Sequence, residues 1–158
     1  MRILVFSDSH GYTDKMIDII KSLNNVDMII HLGDLVKDAK KLEDSFKHIQ
    51  IEYVSGNNDW SAEAPKEKTI QIGNKKGFIT HGNLYGVKTG YARIAYRSQE
   101  LEVDFALFGH THVPFESYYN NTLLINPGSI SLPAPENTAS YCLLEVSNQG
   151  IYSKIHKV

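Results

Sequence analysis

The tract from Leu107 to Val113 reads LFGHTHV and sets His110 and His112 one residue apart, after an apolar run and a glycine. In an extended segment the side chains at i and i+2 point to the same side, so both imidazoles can face one point. Two histidines on one face at a strand end have the spacing of metal ligands. A hydrogen-bonded or surface pair is the commoner use of that spacing when it stands alone. Here it does not stand alone. Ile3 to Phe6 leads into Ser7-Asp8-Ser9-His10, and Met28 to Leu32 leads into Gly33-Asp34. Ile51 to Val54 leads into Ser55-Gly56-Asn57-Asn58-Asp59, and Phe78-Ile79 leads into Thr80-His81-Gly82. Each short apolar run delivers Asp, Asn or His. Asp8 taken singly reads as a helix cap or turn residue, and Asn57-Asn58 as turn formers. The fivefold recurrence is what points to a shared site.

Such a site needs strands whose ends converge. Ile3 to Phe6 is a continuous β-branched and aromatic run, as expected of a strand buried on both faces. Thr13 or Asp14 is placed to cap a helix carrying Met16, Ile19, Ile20 and Leu23 at helical spacing. Met28 to His31 reads as a second strand, and a second helix from near Asp38 carries Ala39, Leu42 and Phe46 on its buried side. Ile51 to Val54 is the third strand. This βαβαβ order predicts a parallel sheet with right-handed crossovers and ligands outside the carboxyl ends of its strands.

After Trp60 the pattern changes. Thr69 to Ile72 and Lys76 to Thr80 flank Gly73-Asn74-Lys75 as a hairpin, and a third helix is expected over Lys88 to Glu100 with Tyr91, Ile94, Ala95, Ser98 and Leu101 inward. A strand at Phe105 to Phe108 follows. Two more hairpins turn at Asn120-Asn121 and at Asn148-Gln149-Gly150. The expected class is mixed α/β, with two sheets face to face and helices outside. No linker or repeat divides the chain, so residues 1–158 read as one domain.

Composition narrows the function classes. With 42% hydrophobic and 22% charged residues, the 158-residue chain has the makings of a sizeable core. A net charge of −2 without a basic stripe gives no electrostatic case for a nucleic-acid-coating protein. The single cysteine, Cys142, excludes an intramolecular disulfide framework and a thiolate zinc site, and reads as a buried structural thiol. The apolar run before Ser7-Asp8 is too short for a signal-peptide core, and no segment approaches membrane-spanning length. A cytoplasmic location without membrane partners is the default expectation, and a homo-oligomer is compatible with it.

Asp8-Ser9-His10, Gly33-Asp34, Gly56-Asn57-Asn58-Asp59, His81-Gly82 and Gly109-His110-Thr111-His112 occur in the order found in calcineurin-like metallophosphoesterases. The resemblance covers Ile3 to about Ser131. The short length and Asn126-Pro127-Gly128-Ser129 look like the small bacterial and archaeal phosphodiesterase branch. It implies a four-layer αββα sandwich and a two-metal site. One metal would be held by Asp8, His10 and His112, the other by Asn57, His81 and His110, with Asp34 bridging. Seven ligands sharing one carboxylate can hold two divalent ions about 3.5–4 Å apart, with an acidified water between them as the hydroxide nucleophile. Oxygen and nitrogen ligands without thiolate suit Mn, Fe, Co, Ni or Zn and argue against Ca or Mg alone; Mn²⁺ is the expected ion, with Fe, Co, Ni or Zn as alternatives. Gly33, Gly56, Gly82 and Gly109 are read as letting the backbone turn sharply at the strand ends.

The implied activity is hydrolysis of small phosphodiesters. The rivals are a phosphomonoesterase or protein phosphatase on the same site, and a non-catalytic protein-binding scaffold like one eukaryotic relative of this fold. One departure bears on the choice. Many phosphomonoesterase members have His after the motif Asn and use it to protonate the leaving group; this chain has Asn58, a neutral amide. Relatives of the small branch often have Cys there, and many have His where this chain has Asn83. Asp59 is a candidate for orienting a water or substrate group. Tyr12, Asn83 and Tyr85 adjoin motif residues and are candidate pocket walls. His31 reads equally as a hydrogen-bond partner of a ligand or as a plain core histidine. His48, His156, Arg93 and Arg97 are assigned to solvated surface.

Overall fold

The computed structural model describes residues 1–158. The chain forms β1 (Arg2–Phe6), α1 (Thr13–Ser22), β2 (Met28–His31), α2 (Val36–Ser45), β3 (Gln50–Tyr53), β4 (Glu67–Ile72) and β5 (Lys75–Thr80). It continues with α3 (Ala92–Glu100), β6 (Phe105–Leu107), β7 (Pro114–Tyr119), β8 (Thr122–Pro127), β9 (Ser140–Ser147) and β10 (Gly150–Lys157). One five-stranded sheet has the order β10-β9-β1-β2-β3, the other β4-β5-β6-β8-β7. The β1-β2-β3 core is parallel and is flanked by the antiparallel β9-β10 hairpin. In the second sheet β5, β6 and β8 run parallel, with the β4 and β7 edges antiparallel.

Strand alternation explains the layers. Ile3, Val5, Met28 and Ile30 point into the cluster shared with Ile79, Phe105, Leu107 and Ile125 of the other sheet. Leu4, Phe6 and Ile29 point the other way, onto Met16 and Ile20 of α1 and Leu42 of α2. On the far side, Phe78, Ala106 and Leu124 meet Ile94 and Ala95 of α3. The result is the four-layer αββα arrangement. His31 shares the outward parity of Ile29, which directs it toward α2 and not into the space between the sheets.

Three helix starts differ from expectation. Helix α1 begins at Thr13 with Tyr12 in the cap position and no side-chain cap, because the Thr13 hydroxyl accepts from Lys41 Nζ instead. Helix α2 begins at Val36, two residues before Asp38. Helix α3 begins only at Ala92. Gly86 and Gly90 hold residues 86–91 in turns, with Thr89 N–H donating to the Gly86 carbonyl at 2.9 Å. His156 is half-buried: its ring stacks on Tyr141 at 5.1 Å between centroids, which leaves it less solvated than the sequence implied.

Cys142 is fully buried between the sheets, and burial pushes its thiol up to about 12. The thiolate is the reactive form, so native protein should resist a thiol-specific disulfide reagent at pH 8 and react stoichiometrically in denaturant. Rapid labelling of the folded protein would contradict this packing.

Candidate metal centre

The carboxyl ends of β1, β2, β5 and β6, with the loop after β3, meet at one edge of the two sheets. Asp8 follows β1, Asp34 follows β2, Asn57 follows β3, His81 follows β5, and His110 and His112 follow β6. Asp8 Oδ1 lies 3.1 Å from His112 Nε2 and 3.9 Å from His81 Nε2. Asp34 Oδ2 lies 3.5 Å from His81 Nε2 and 4.0 Å from His10 Nε2. His81 Nε2 is also 3.2 Å from Asn57 Oδ1 and 3.1 Å from His110 Nδ1. The rings of His10 and His112 pack at 5.4 Å between centroids. All seven side chains of the expected ligand set therefore share one constellation.

Its electron pairs face one another. The Leu32 carbonyl accepts from His81 Nδ1 at 2.8 Å, which fixes the tautomer and leaves Nε2 bare. That bare nitrogen points at the Asn57 and Asp34 oxygens and at His110. The Leu132 carbonyl does the same for His112 Nδ1 at 2.5 Å, turning its Nε2 toward Asp8. Asp8 Oδ1 and His10 Nε2 are buried with no hydrogen-bond partner. Acceptors aimed at acceptors in a largely buried site cost free energy unless a cation or protons lie between them. The Asp8-His10-His112 and Asp8-Asp34-His81 atoms each lie close enough together to hold one ion. The donors present fit a divalent metal.

Backbone conformation tells the same story. Asp8, His10, Asp34, His110 and His112 all have positive φ, between 47° and 69°. Non-glycine residues in this region cost of order 1–3 kcal/mol each and persist where surroundings over-determine them. The surroundings here are specific. Ser7 Oγ and His110 N–H donate to Asp8 Oδ2 at 2.5 and 3.1 Å, leaving Oδ1 free. Ser129 and Ser131 hydroxyls donate to the Asp8 carbonyl at 2.8 and 2.9 Å, and Asn126 Nδ2 donates to the Gly109 carbonyl at 2.9 Å.

Of the four glycines read as sharp turns, Gly33 has φ of 96° and Gly82 of 104°, whereas Gly56 and Gly109 have no such turn. Those two are needed for space: a Cβ on Gly109 would sit 1.9 Å from Ser7 Oγ, and one on Gly56 would sit 2.1 Å from Asp34 Oδ1.

Asn58 and Asp59 have definite positions. Asn58 holds Asp34 with its backbone N–H, 3.0 Å from Oδ1, and with its amide Nδ2, 2.7 Å from Oδ2. Asp59 accepts three backbone N–H groups, from Asp34 at 3.1 Å, Val36 at 2.7 Å and Gly56 at 2.8 Å. It thereby caps α2 from another loop, in place of the missing local cap. Tyr12 is exposed, and Asn83 is half-buried in a short 3₁₀ turn. Tyr85 packs edge-on against Phe78 and donates to Glu67 Oε2. Arg97 pairs with Glu67 and Glu100, in keeping with a helix-surface role.

Electrostatics follow from packing. Burial raises the Asp8 carboxyl, but His112, His81 and Ser7 together outweigh it and hold the group below its ordinary range. The Asp8 contact raises His112 against the opposing effect of burial. Burial, reinforced by His81, lowers His110 to about 4 and leaves it a neutral donor.

Behind these residues runs a chain that sequence reasoning did not assemble. Gly33 N–H donates to His31 Nδ1 at 3.3 Å, so Nε2 carries the proton and donates to Ser9 Oγ at 2.9 Å. Ser9 Oγ donates to Asp38 Oδ2 at 2.6 Å, and Gly11 N–H donates to the same oxygen at 2.7 Å. The buried Asp38 thus ties together the segments that carry Asp8, His10 and Asp34. A carboxylate on the apolar face of α2, beside Ala39 and Leu42, was the available signal.

Burial holds His31 neutral down to about pH 4, against an ordinary imidazole value of 6.5. The unfolded chain takes up a proton that the fold refuses. Stability from this residue is therefore complete above pH 6.5 and is lost as pH falls toward 4, by up to about 3 kcal/mol. Urea midpoints measured from pH 7 to 4.5 should fall, and His31→Gln should flatten that slope. An equal slope in the variant would assign the loss to other groups.

Comparison with known proteins shows the family. The profile of the calcineurin-like phosphoesterase superfamily domain matches residues 1–149. Probable metallophosphoesterase YsnB of Bacillus subtilis is 36% identical over 152 residues, spanning 94% of this chain and 86% of that protein. Phosphodiesterase MJ0936 of Methanocaldococcus jannaschii is 30% identical over 146 residues, spanning 81% and 83%. A crystal structure of Vps29 from Entamoeba histolytica complexed with Zn²⁺ superposes with a TM-score of 0.79 over 100% of this chain and 98% of that one; at 22% identity it speaks for the fold alone. Profile, relatives and the clustered Asp, Asn and His side chains converge, and the chain belongs to the calcineurin-like metallophosphoesterases.

Proposed function

We propose that the protein is a hydrolase of small phosphodiesters working with two divalent ions. Asp8, His10 and His112 would hold one, Asn57, His81 and His110 the other, and Asp34 would be shared. The observation that carries this reading is that Asp8 Oδ1 and His10 Nε2 are buried without hydrogen-bond partners, Asp8 Oδ1 facing His112 Nε2 and His10 Nε2 facing Asp34 Oδ2. The mixed oxygen and nitrogen donor set suits Mn²⁺, Fe, Co, Ni or Zn, and Mn²⁺ is the ion we propose. When bound, such a pair supplies Lewis-acid polarisation of the phosphoryl oxygens and lowers the pKa of water to near neutrality.

The chain's own residues do the rest. Ser7 and the His110 N–H fix Asp8, Asn58 fixes Asp34, and Asp59 fixes the loop from Asp34 to Val36. Asn58 stands at the motif position where, by the family resemblance, many phosphomonoesterases carry a His that protonates the leaving group, and an amide has no proton to give at neutral pH. That favours esters whose leaving groups depart without protonation, and the phosphodiesterase relative from M. jannaschii points the same way. A strained, electron-rich cluster of this kind is what metal-dependent hydrolysis requires and protein binding alone does not, which favours the enzyme over the scaffold.

Protein purified without chelator should carry close to two metal equivalents per chain and hydrolyse bis(p-nitrophenyl) phosphate. Chelation should abolish turnover and Mn²⁺ should restore it. Protein that takes up no metal under any condition would overturn the enzyme reading in favour of the scaffold.

A further inference from the structure

Next to Asn58 and Asp59 the surface opens into a cleft of about 290 Å³, walled by the first turns of α2 and the loop from Asn58 to Ala62. Its size lies at the lower end of the ~300–1,000 Å³ usual for small-molecule sites. Trp60 stands in its wall with 94% of its surface exposed. An indole left this bare, in a chain whose other large aromatics mostly pack, is a flat apolar face in search of a partner. Lys37 and Lys40 line the same cleft one helical turn apart. Both are exposed and neither has an ion pair or hydrogen bond within the protein, unlike Lys41, which is tied to Thr13 and Asp14. The one acidic side chain in the wall, Asp59, is consumed by three backbone N–H groups. Asn58 joins the cleft to the metal centre, since its amide reaches Asp34 from the cleft wall.

We infer that this cleft is a nucleotide subsite: Trp60 stacks a nucleobase, and Lys37 and Lys40 take a phosphate beyond the one that is cleaved. The inference rests on the phosphodiesterase reading for the position of the scissile group, and narrows its substrate to nucleotides carrying a further phosphate. A ring alone would need no lysines, and a simple anion would need no indole. Lysine binds phosphate as a point charge and leaves the specificity to the stacked ring. Stacking one base on an aromatic side chain is typically worth about 5- to 150-fold in affinity.

Trp60 is the single tryptophan, so its emission reports on this cleft directly. The probes are ADP, ribose 5-phosphate and adenosine, titrated into chelated and into Mn²⁺-loaded protein. ADP should quench the emission saturably in both, whereas ribose 5-phosphate should leave it unchanged and adenosine should bind more weakly than ADP. By calorimetry Trp60→Ala should weaken ADP at least fivefold, with Trp60→Phe in between. Lys37→Ala with Lys40→Ala should weaken it about tenfold at low salt, and that difference should shrink at 0.5 M salt. Emission indifferent to millimolar ADP, or ribose 5-phosphate binding as tightly as ADP, would overturn the subsite. Hydrolysis of bis(p-nitrophenyl) phosphate is scored separately. Turnover without ADP discrimination sinks the subsite and spares the phosphodiesterase reading; ADP discrimination without turnover does the reverse.

Discussion

Asp34→Asn is expected to lower kcat/KM on an aryl phosphodiester by more than about 10³-fold and to reduce bound metal below one equivalent per chain. Asp34 is buried, has φ of 49°, and sits within 4.0 Å of both His10 and His81. Under the proposed assignment it is the carboxylate shared by the two ions, whereas Asp8, which belongs to both close-set groups of ligand atoms, would serve one. Asparagine keeps the shape and loses the charge. It also sets an amide donor or carbonyl against Asn58 Nδ2, which now donates to Asp34 Oδ2 at 2.7 Å. Asp8→Asn and Asn57→Ala remove a ligand from one ion each and should cost less metal than Asp34→Asn. Metal content measured on each variant, beside its thermal stability, separates ligation from folding. Full metal and activity in Asp34→Asn would refute the shared carboxylate.

That expectation began from sequence, and the reasons show what a sequence carries. Strand-end tracts were legible because each couples a buried period to ligand-type residues: Ile3 to Phe6 before Asp8 and His10, Phe105 to Leu107 before His110 and His112. The hairpins were legible from their turn residues. The starts of α1 and α2 were not, because they depend on distant partners. Asp59 serves the N-terminus of α2 from across a loop, and Lys41 occupies the hydroxyl of Thr13. The polar chain from Gly33 through His31 and Ser9 to Asp38 escaped for the same reason, as its members are brought together only by packing α2 on the sheet. Gly56 and Gly109 looked like turn glycines, yet the fold needs their missing Cβ, since Asp34 and Ser7 fill that space.

Asn58→His is expected to raise kcat/KM on alkyl phosphoesters selectively, while aryl esters stay level or lose activity. A general acid typically contributes about 10²–10⁴-fold when the leaving group is poor, and an amide supplies none of it. Charge alone would favour monoesters in a cationic site, so leaving-group chemistry must be read separately. The structure places the gain at the lower end of that range. Asp59, the residue that would orient a new imidazole, already accepts from the N–H groups of Asp34, Val36 and Gly56. The substitution also gives up the Asn58 amide bond to Asp34, although the backbone N–H bond at 3.0 Å survives it. Asn58→Ala separates the two effects, because it loses the amide bond without adding an acid and should slow all substrates alike. The measurement is kcat/KM against leaving-group pKa for the three proteins. A steep negative slope in the wild type and in Asn58→Ala, flattened in Asn58→His, is the expected pattern. A flat wild-type slope with chemistry rate-limiting would mean that another residue delivers the proton, and the preference for diesters would lose its cause.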